Sequence, residues 1–169
     1  MSEQEMLKDK RILIVDDEPD VAETPEELLT DCNITKAFNF EDAKKLFETQ
    51  EFDIAILDIM GVNGYELLKI AIEKKVIPVM LTAHALSPEN TIKSFREGAA
   101  SYIPKDEMAR IGLFLCDILE AKEQGESPWF RWFDRLGSFF GKVFGPDWDT
   151  KYKEDMREEL QRKYQYPYM

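Results

Sequence analysis

Short runs of β-branched and aliphatic residues alternate with segments of helical periodicity along the first 120 residues of the chain. This alternation constrains the fold more than any other feature, because it is typical of successive strand–helix units around a buried parallel sheet. Five units can be counted, with strands predicted at residues 12–15, 34–38, 54–57, 78–81 and 101–103. Helices are predicted at residues 19–30, 41–49, 65–74, 88–97 and 107–120. The pattern therefore predicts an α/β fold.

Several single residues predict where these helices begin, bend or end. Asn39 or Phe40 leads into the acidic start of the second helix, and Asp106 is predicted as an N-cap. Gly98 is typical of a helix C-terminus. Pro25 falls inside the first predicted helix, where the missing N–H and the ring predict a kink.

The charge distribution disfavours nucleic acid as a partner. The net charge is −12, and residues 121–169 contain nine basic and nine acidic side chains, so residues 1–120 carry the whole excess. Phosphate contacts need a basic surface, which this acidic region lacks. The neutral C-terminal region shows no helix-turn-helix pattern, so we do not expect DNA binding there either.

Composition also bears on the compartment and on metals. No apolar run approaches the roughly 20 residues that span a bilayer, and the acidic start MSEQEMLKDK does not resemble a signal peptide. Cys32 and Cys116 lie far apart, and the single His84 cannot complete a zinc site. We therefore expect a cytoplasmic protein.

A change in composition divides the chain. We expect one domain over residues 1–123, a linker over 124–128, and an extension over 129–169. The extension begins with an amphipathic helix, continues into a charged helical stretch and ends in an aromatic tail. The apolar face of its first helix includes Trp129, Trp132, Phe133, Leu136 and Phe140.

This apolar face has three interpretations. It folds back on the first domain, it docks on another protein chain or a second copy, or it lies in a membrane surface as a peripheral contact. In each case it is the candidate interaction surface of the chain.

Polar residues follow the predicted strands at their carboxyl ends, where open parallel sheets bind ligands. Asp16 and Asp17 follow the first strand, and Asp58, Thr82 and Lys105 follow the third, fourth and fifth. Converging carboxylates are costly without a cation, and oxygen ligands of this kind suit Mg²⁺. A lysine and a threonine beside them suit phosphoryl transfer, with one carboxylate as the nucleophile.

These residues lie in segments that resemble a known family. ILIVDDEPDVAET, DIAILDIMGVNGYELL, IPVMLTA and GAASYIPKDE resemble the receiver domain of two-component response regulators over roughly residues 9–122. The resemblance implies a flavodoxin-like fold, a doubly wound (βα)5 parallel sheet with strand order 2-1-3-4-5. The loop DIMGVNG departs from the commonest family pattern, because it lacks a proline and reaches Gly64 two residues sooner.

The resemblance also implies residue roles. It makes Asp58 the phosphoacceptor and Lys105 the phosphate-binding lysine. Thr82 and Tyr102 become the switch pair. The implied Mg²⁺ ligands are Asp16, Asp17, Asp58 and the backbone carbonyl of Met60.

The implied activity is that of a phosphorylation-activated switch, which is not an enzyme in the usual sense. Its expected phosphodonor partner is a sensor histidine kinase or a phosphotransfer protein, and its output is a downstream protein partner, self-association or a membrane surface. The alternative hypothesis is a constitutive scaffold of the same fold that is not phosphorylated. An independent enzyme or a flavin-based electron carrier is disfavoured, since no Gly- or Thr-rich phosphate loop follows the first strand.

Overall fold

Five parallel strands form one sheet in the order β2-β1-β3-β4-β5 in the computed structural model of the chain. The strands are β1 (Arg11–Val15), β2 (Asn33–Ala37), β3 (Ile54–Asp58), β4 (Ile77–Thr82) and β5 (Ser101–Pro104). The structure describes residues 2–83, 88–145, 148 and 152–164, without the side chains of residues 137–140, 143, 163 and 164. The implied flavodoxin-like fold and strand order are confirmed.

Helices connect the strands and extend beyond the sheet. They are α1 (Glu3–Leu7), α2 (Pro19–Leu28), α3 (Phe40–Thr49), α4 (Gly64–Glu73), α5 (Pro88–Arg96), α6 (Ile111–Glu123), α7 (Pro128–Phe144) and α8 (Lys153–Tyr164). A 3₁₀ helix at Lys105–Arg110 joins β5 to α6. Within the ranges described, no helix is both long and apolar enough to cross a lipid bilayer.

Burial on both faces of the sheet explains the near-continuous apolar runs. All five residues of β3 are buried, as are all of β1 except Arg11 at its start. Helices cover both faces of a parallel sheet, so its central strands need no polar side. Because all neighbouring strands pair parallel, their carboxyl ends lie at the same edge of the sheet.

The structure confirms two of the residues predicted at helix ends and contradicts one. Asn39 caps α3 by accepting a hydrogen bond from the Asp42 N–H at 2.8 Å, and Gly98 follows α5 with φ of 101°. Pro25 lies buried inside α2, which continues past it to Leu28. The prediction for Asp106 is wrong, because it lies inside the 3₁₀ helix, whose N-cap is Pro104.

The sequence pattern did not predict two short helical elements, the 3₁₀ helix before α6 and the helix α1. The helix predicted at residues 107–120 begins as the 3₁₀ turn and becomes α-helical only at Ile111. The helix α1 was not predicted, because five residues are too few for an amphipathic pattern to emerge. Tertiary contacts stabilise α1 instead, since Met6 and Leu7 are buried in the core.

The extension folds back on the sheet domain, which is the first of the three interpretations. Trp129, Trp132, Phe133 and Leu136 are all buried and belong to the same core as the sheet. The side chain of Phe140 lies outside the described residues. We call α7, Trp148 and α8 together the docked hairpin.

Candidate functional site

Four polar side chains gather at the carboxyl edge of the sheet. Asp16 follows β1, Asp58 ends β3, Thr82 ends β4 and Lys105 follows β5. The strands β1 and β3 are neighbours, so Asp16 and Asp58 leave the sheet side by side. Asp16, Asp58 and Thr82 are buried, which is unusual for two carboxylates at one edge.

Lys105 joins these carboxylates. Its Nζ lies 2.9 Å from Asp16 Oδ2, 3.4 Å from Asp58 Oδ1 and 4.0 Å from Glu18 Oε1. The lysine side chain is only 12% exposed, so its charge and the two buried charges share a poorly hydrated space. One ammonium group thus partly compensates two buried carboxylates, which leaves an excess of negative charge.

That excess shifts the acid–base properties of the site. Burial and the charge of Asp16 raise the pKa of Asp58 from 3.8 to about 6, although Lys105 acts in the opposite direction. Burial tends to lower the pKa of Lys105, but the hydrogen bond to Asp16 and the charges of Asp58, Asp16 and Glu18 outweigh it, so this pKa is raised. Lys105 therefore stays cationic. A further positive charge near Asp58 would stabilise its ionised carboxylate.

Asp17 and Glu18 form the outer side of the site. One carboxylate oxygen from each of Asp16, Asp17 and Glu18 lies within 4.8 Å of the others, and Asp17 and Glu18 are exposed. The Glu18 N–H donates to Asp16 Oδ1 at 2.9 Å, which fixes the turn after β1. Sequence reasoning missed Glu18 as a member of this group. Its position next to the Asp16–Asp17 pair was the available signal.

The loop after β3 approaches Asp17 closely. Gly61 has φ of 79°, a conformation that favours glycine, and a Cβ there would lie 2.6 Å from the Asp17 carboxylate. The Met60 carbonyl accepts a hydrogen bond from the Val62 N–H at 2.9 Å, while the Met60 side chain is exposed. A carbonyl oxygen has two lone pairs, so this bond leaves one of them for a ligand.

The other predicted residues lie on β4 and β5. Thr82 pairs in register with Pro104, and Tyr102 pairs with Met80 and is fully buried. His84 lies outside the described residues. The structure thus brings Asp16, Asp17, Asp58 and Lys105 together, and places Thr82 and Tyr102 on the two strands beside them.

Comparison with known proteins settles the family. The response regulator receiver domain family matches this chain over residues 12–113. The chain belongs to this family. The receiver domains of two-component response regulators typically accept a phosphoryl group, bind Mg²⁺ at an acidic pocket and interact with a histidine kinase or a phosphotransfer protein.

Curated relatives match this chain over the receiver domain, and each relative is much longer than the matched segment. The chain is 32% identical to the uncharacterized transcriptional regulatory protein YcbL of Bacillus subtilis over 97 residues, covering 55% of this chain and 43% of that protein. It is 32% identical to the regulatory protein VanR of Enterococcus faecium over 99 residues, covering 56% and 43%. The alignments thus span less than half of each relative.

Solved structures agree with this assignment. A CheY-like receiver domain protein from Methanospirillum hungatei has a TM-score of 0.62 at 26% identity, covering 70% of this chain and 99% of that one. A response regulator from Chloroflexus aurantiacus has a TM-score of 0.59 at 29% identity, covering 67% and 99%. About 30% of the present chain lies outside these alignments.

Proposed function

We propose that this receiver is a phosphorylation-controlled switch with Asp58 as its phosphoacceptor. The observation that supports this role is the buried Asp58 carboxylate, whose Oδ1 lies 3.4 Å from a lysine ammonium that also pairs with Asp16. A nucleophile needs an accessible lone pair and a means to stabilise the charge arriving with the phosphoryl group. Lys105 supplies that stabilisation.

In the proposed reaction, an oxygen of Asp58 forms a bond to phosphorus as the bond between phosphorus and the donor breaks. The leaving group of the donor keeps the electron pair, and Asp58 becomes an acyl phosphate. The Lys105 ammonium and the Thr82 hydroxyl donate hydrogen bonds to phosphoryl oxygens. Attack by water later releases inorganic phosphate and restores the carboxylate, so the protein is a switch and not a classical enzyme.

The residues at this edge fit Mg²⁺. The donors are hard oxygens, and among the described residues the buried Asp16 Oδ2 has no partner besides the Lys105 ammonium. We assign Asp16, Asp17, Asp58 and the Met60 carbonyl as the residues that would hold the ion, with Glu18 at the rim. When bound, Mg²⁺ neutralises the negative charge that the carboxylates and the phosphoryl group bring together.

The signalling partners follow from the family and from the extension. A sensor histidine kinase or phosphotransfer protein would supply the phosphoryl group. Thr82 and Tyr102 would act as the switch pair, and the output would pass through the extension to a protein partner, a second copy or a membrane surface instead of DNA. The free thiols Cys32 and Cys116 support a reducing, cytoplasmic location.

A constitutive scaffold is the second candidate, and one observation favours it. The docked hairpin shares a continuous core with the receiver, in which Trp129 and Trp132 are buried, so the extension is built into the fold as a structural part. In that case, the acidic site would bind a cation without accepting a phosphoryl group.

Phosphoryl uptake separates these two functions. The full chain is incubated with acetyl phosphate and Mg²⁺, and its intact mass is compared with that of Asp58→Asn and of a Mg²⁺-free sample. Asp20→Asn is the matched control, because Asp20 is an exposed carboxylate in the first turn of α2, three residues after Asp17. We expect one phosphoryl group on the wild type and on Asp20→Asn only with the metal. If acetyl phosphate and a phosphorylated histidine phosphotransfer protein both fail to modify the wild type, the scaffold becomes the better assignment.

A further inference from the structure

A cavity of about 650 Å³ opens at the amino edge of the sheet, where the strands begin. Its lining includes Ile77 and Pro78 at the start of β4, and Ala100 just before β5. Asp58 lies at the other end of the strands, since β3 begins at Ile54 beside Ile77 and ends at Asp58. The cavity is therefore separate from the acidic site, and its volume is in the range of small-molecule sites.

The extension completes this cavity. Gly125, Ser127 and Trp129 contribute to its lining, and all three lie beyond residue 113, where the match to the receiver family ends. The indole N–H of Trp129 donates to the Ala99 carbonyl at 2.8 Å, which holds the start of α7 against the receiver. The cavity is thus formed by the receiver and the extension together.

Much of the cavity lining is apolar. Phe95 of α5 and Trp129 of α7 are buried there, with their ring centroids 5.3 Å apart and their planes at 75°. Ile72 near the end of α4 also lines the cavity, and it remains 44% exposed. A ligand with an apolar body would remove this surface from water, which favours binding.

The charged side chains of the cavity are two lysines and one glutamate. They are Lys75, which follows α4, Lys122 in the last turn of α6, and Glu126. Both lysines are exposed, and neither has an ion-pair partner in the part of the chain that the structure describes. The cavity therefore has an excess of one positive charge in a protein whose net charge is −12. A ligand with a single negative charge is complementary to it.

The backbone of Lys75 provides a second observation. The helices α4, α5 and α6 all end at the cavity, and the second residue after each helix has a positive φ: 59° at Lys75, 101° at Gly98 and 71° at Gly125. Glycine is the usual residue at this position, because a Cβ disfavours a positive φ. Lysine therefore carries a backbone strain that glycine would avoid, and such strain is typical of residues that contact ligands.

A structural role for the two lysines predicts a different result. Helix C-termini carry a partial negative charge, so a lysine near the end of α4 or α6 also stabilises the helix. The start of α7 at the same cavity contributes a partial positive charge of its own. If the lysines served only the helix ends, their removal would lower stability without changing the affinity for a ligand.

We propose that this cavity is a binding site for a small organic anion, which is an apolar body with a single acidic group. The apolar body contacts Ile72, Phe95 and Trp129, and the acidic group pairs with the ammonium groups of Lys75 and Lys122. The site is independent of the proposed role of Asp58.

Two matched probes test the site on the full chain. The first is 1-anilinonaphthalene-8-sulfonate, an aromatic anion, and the second is N-phenyl-1-naphthylamine, which has the same rings without the sulfonate. We expect one sulfonate probe to bind per chain, about fivefold more tightly than the neutral probe, by fluorescence titration. In amide NMR spectra it should shift the signals of Gly98 and Gly125, and leave those of Gly61 and Gly64 beside Asp58 unchanged.

Substitutions separate the charged part of the site from the apolar part. Lys75→Gln and Lys122→Gln should each weaken the sulfonate probe about threefold and leave the neutral probe unchanged. Lys44→Gln on α3 is the control, since it removes the same charge from another exposed lysine. Ile72→Ser should weaken both probes, whereas Leu28→Ser, at a position 49% exposed in α2, should affect neither.

Several results would overturn the site. Equal affinities for the two probes in the wild type would mean that the cavity does not select an anion. A loss in Lys44→Gln as large as that in Lys75→Gln would assign the effect to the overall charge. Lower stability in urea for Lys75→Gln, with unchanged sulfonate affinity, would assign Lys75 to the helix end.

The location of binding is tested separately. If neither probe binds, or if binding leaves the Gly98 and Gly125 signals unshifted, the cavity is not the site. These results leave the proposed function intact, because phosphoryl uptake at Asp58 is measured by intact mass without either probe.

Discussion

Asp58 is charged at a position where charge is costly. It is buried at the end of β3, beside a second buried carboxylate, and its pKa is raised to about 6 by burial and by the charge of Asp16. The folded protein in the absence of metal therefore holds a proton on Asp58 more tightly than the unfolded chain does, where the ordinary value is 3.8. This difference has a direct consequence for stability.

The stability of the metal-free protein should depend on Asp58 between about pH 4 and pH 6. Because the folded pKa is raised, the folded state binds more protons there, and the contribution of Asp58 to stability is lost as the pH rises through about 6. Asp58→Asn carries no charge, so it should be more stable than the wild type at pH 7 by about 1 kcal/mol. Urea unfolding of both proteins from pH 4 to pH 8 measures this difference.

The comparison includes its own control. Other carboxylates titrate in both proteins, so only the difference between them reports on Asp58. Saturating Mg²⁺ at pH 7 should reduce this difference, because the cation offsets the same charge. A difference that stays constant from pH 4 to pH 8 would contradict the raised pKa.

Lys105 should contribute more to stability than an ordinary surface lysine. Lys105→Ala leaves Asp16 and Asp58 buried without their shared cation, which should cost about 3 kcal/mol at pH 7. Mg²⁺ should recover part of this loss. Arg11→Ala is the control, since Arg11 also pairs with two acids, Glu51 and Asp53, but is 46% exposed, so its loss should cost much less stability. Similar losses in the two variants would contradict this account.

The loop between β3 and α4 is fixed by a close approach of backbone to backbone. A Cβ on Gly64 would overlap the carbonyl oxygen of Asp58, so α4 can begin this near to the strand only with glycine. Asn63 takes the left-handed conformation just before it, with φ of 56°. The two residues together allow the loop to lead into α4 directly beside Asp58, the proposed phosphoacceptor.

Gly64→Ala should therefore disturb the site as well as the fold. We expect a loss of about 2 kcal/mol and slower phosphoryl uptake, because the Asp58 backbone must move. Gly125→Ala is the matched variant: Gly125 has φ of 71° but no atom within 4 Å of the added Cβ. It should lose about 1 kcal/mol from backbone strain alone and keep the wild-type uptake rate. Equal uptake rates for both variants would show that the close approach does not position Asp58.

Ion pairs join α6 to α7, and Asp117 takes part in two of them. Asp117 accepts two bonds from Arg135 and lies 3.8 Å from Arg131, which also pairs with Glu120. We expect Asp117→Asn to lower the free energy of unfolding by about 2 kcal/mol, because it removes charge-assisted bonds at a mostly buried position. Denaturant unfolding measures this loss.

An exposed ion pair provides the comparison for Asp117. Glu66 pairs with Lys69 on α4, and both side chains are more than half exposed. Glu66→Gln should change stability by less than about 0.5 kcal/mol. If Asp117→Asn costs no more than Glu66→Gln, the α6–α7 ion pairs do not hold the hairpin in place.

At the scale of the whole molecule, the receiver and the hairpin share one hydrophobic core. Buried residues of α7 and α8, such as Leu136, Met156 and Leu160, are continuous with the buried strands. A shared core predicts one cooperative unfolding transition, whereas a separately folded extension would unfold on its own.

The three tryptophans allow a direct test of this cooperativity. Urea unfolding followed by tryptophan emission reports on the hairpin, and far-ultraviolet circular dichroism reports on the helices and strands of the whole chain. We expect the two curves to coincide. A tryptophan transition at a clearly lower urea concentration would show that the hairpin undocks before the receiver unfolds.

The sequence was sufficient to predict the features that depend on neighbouring residues. Strand and helix periodicity placed all five strand–helix units, and the polar residues at strand ends identified Asp16, Asp58 and Lys105 as one cluster, since parallel strands end at a common edge. The resemblance to receiver domains added the strand order, and the family comparison confirmed the family. Each strand and the polar residue at its end can be recognised from side chains within a few positions, and the parallel arrangement of the strands does the rest.

Tertiary structure decided everything that depends on partners distant in the sequence. Periodicity showed that α7 has an apolar face, but it left open whether that face meets the receiver, another chain or a membrane. The structure resolves this, because the indole groups of Trp129 and Trp132 bond to carbonyls 30 residues earlier in the chain. The raised pKa of Asp58 and the stability of the five-residue α1 likewise arise from burial by distant residues. A sequence pattern specifies which surface must be buried, and only the packing of the whole chain specifies what buries it.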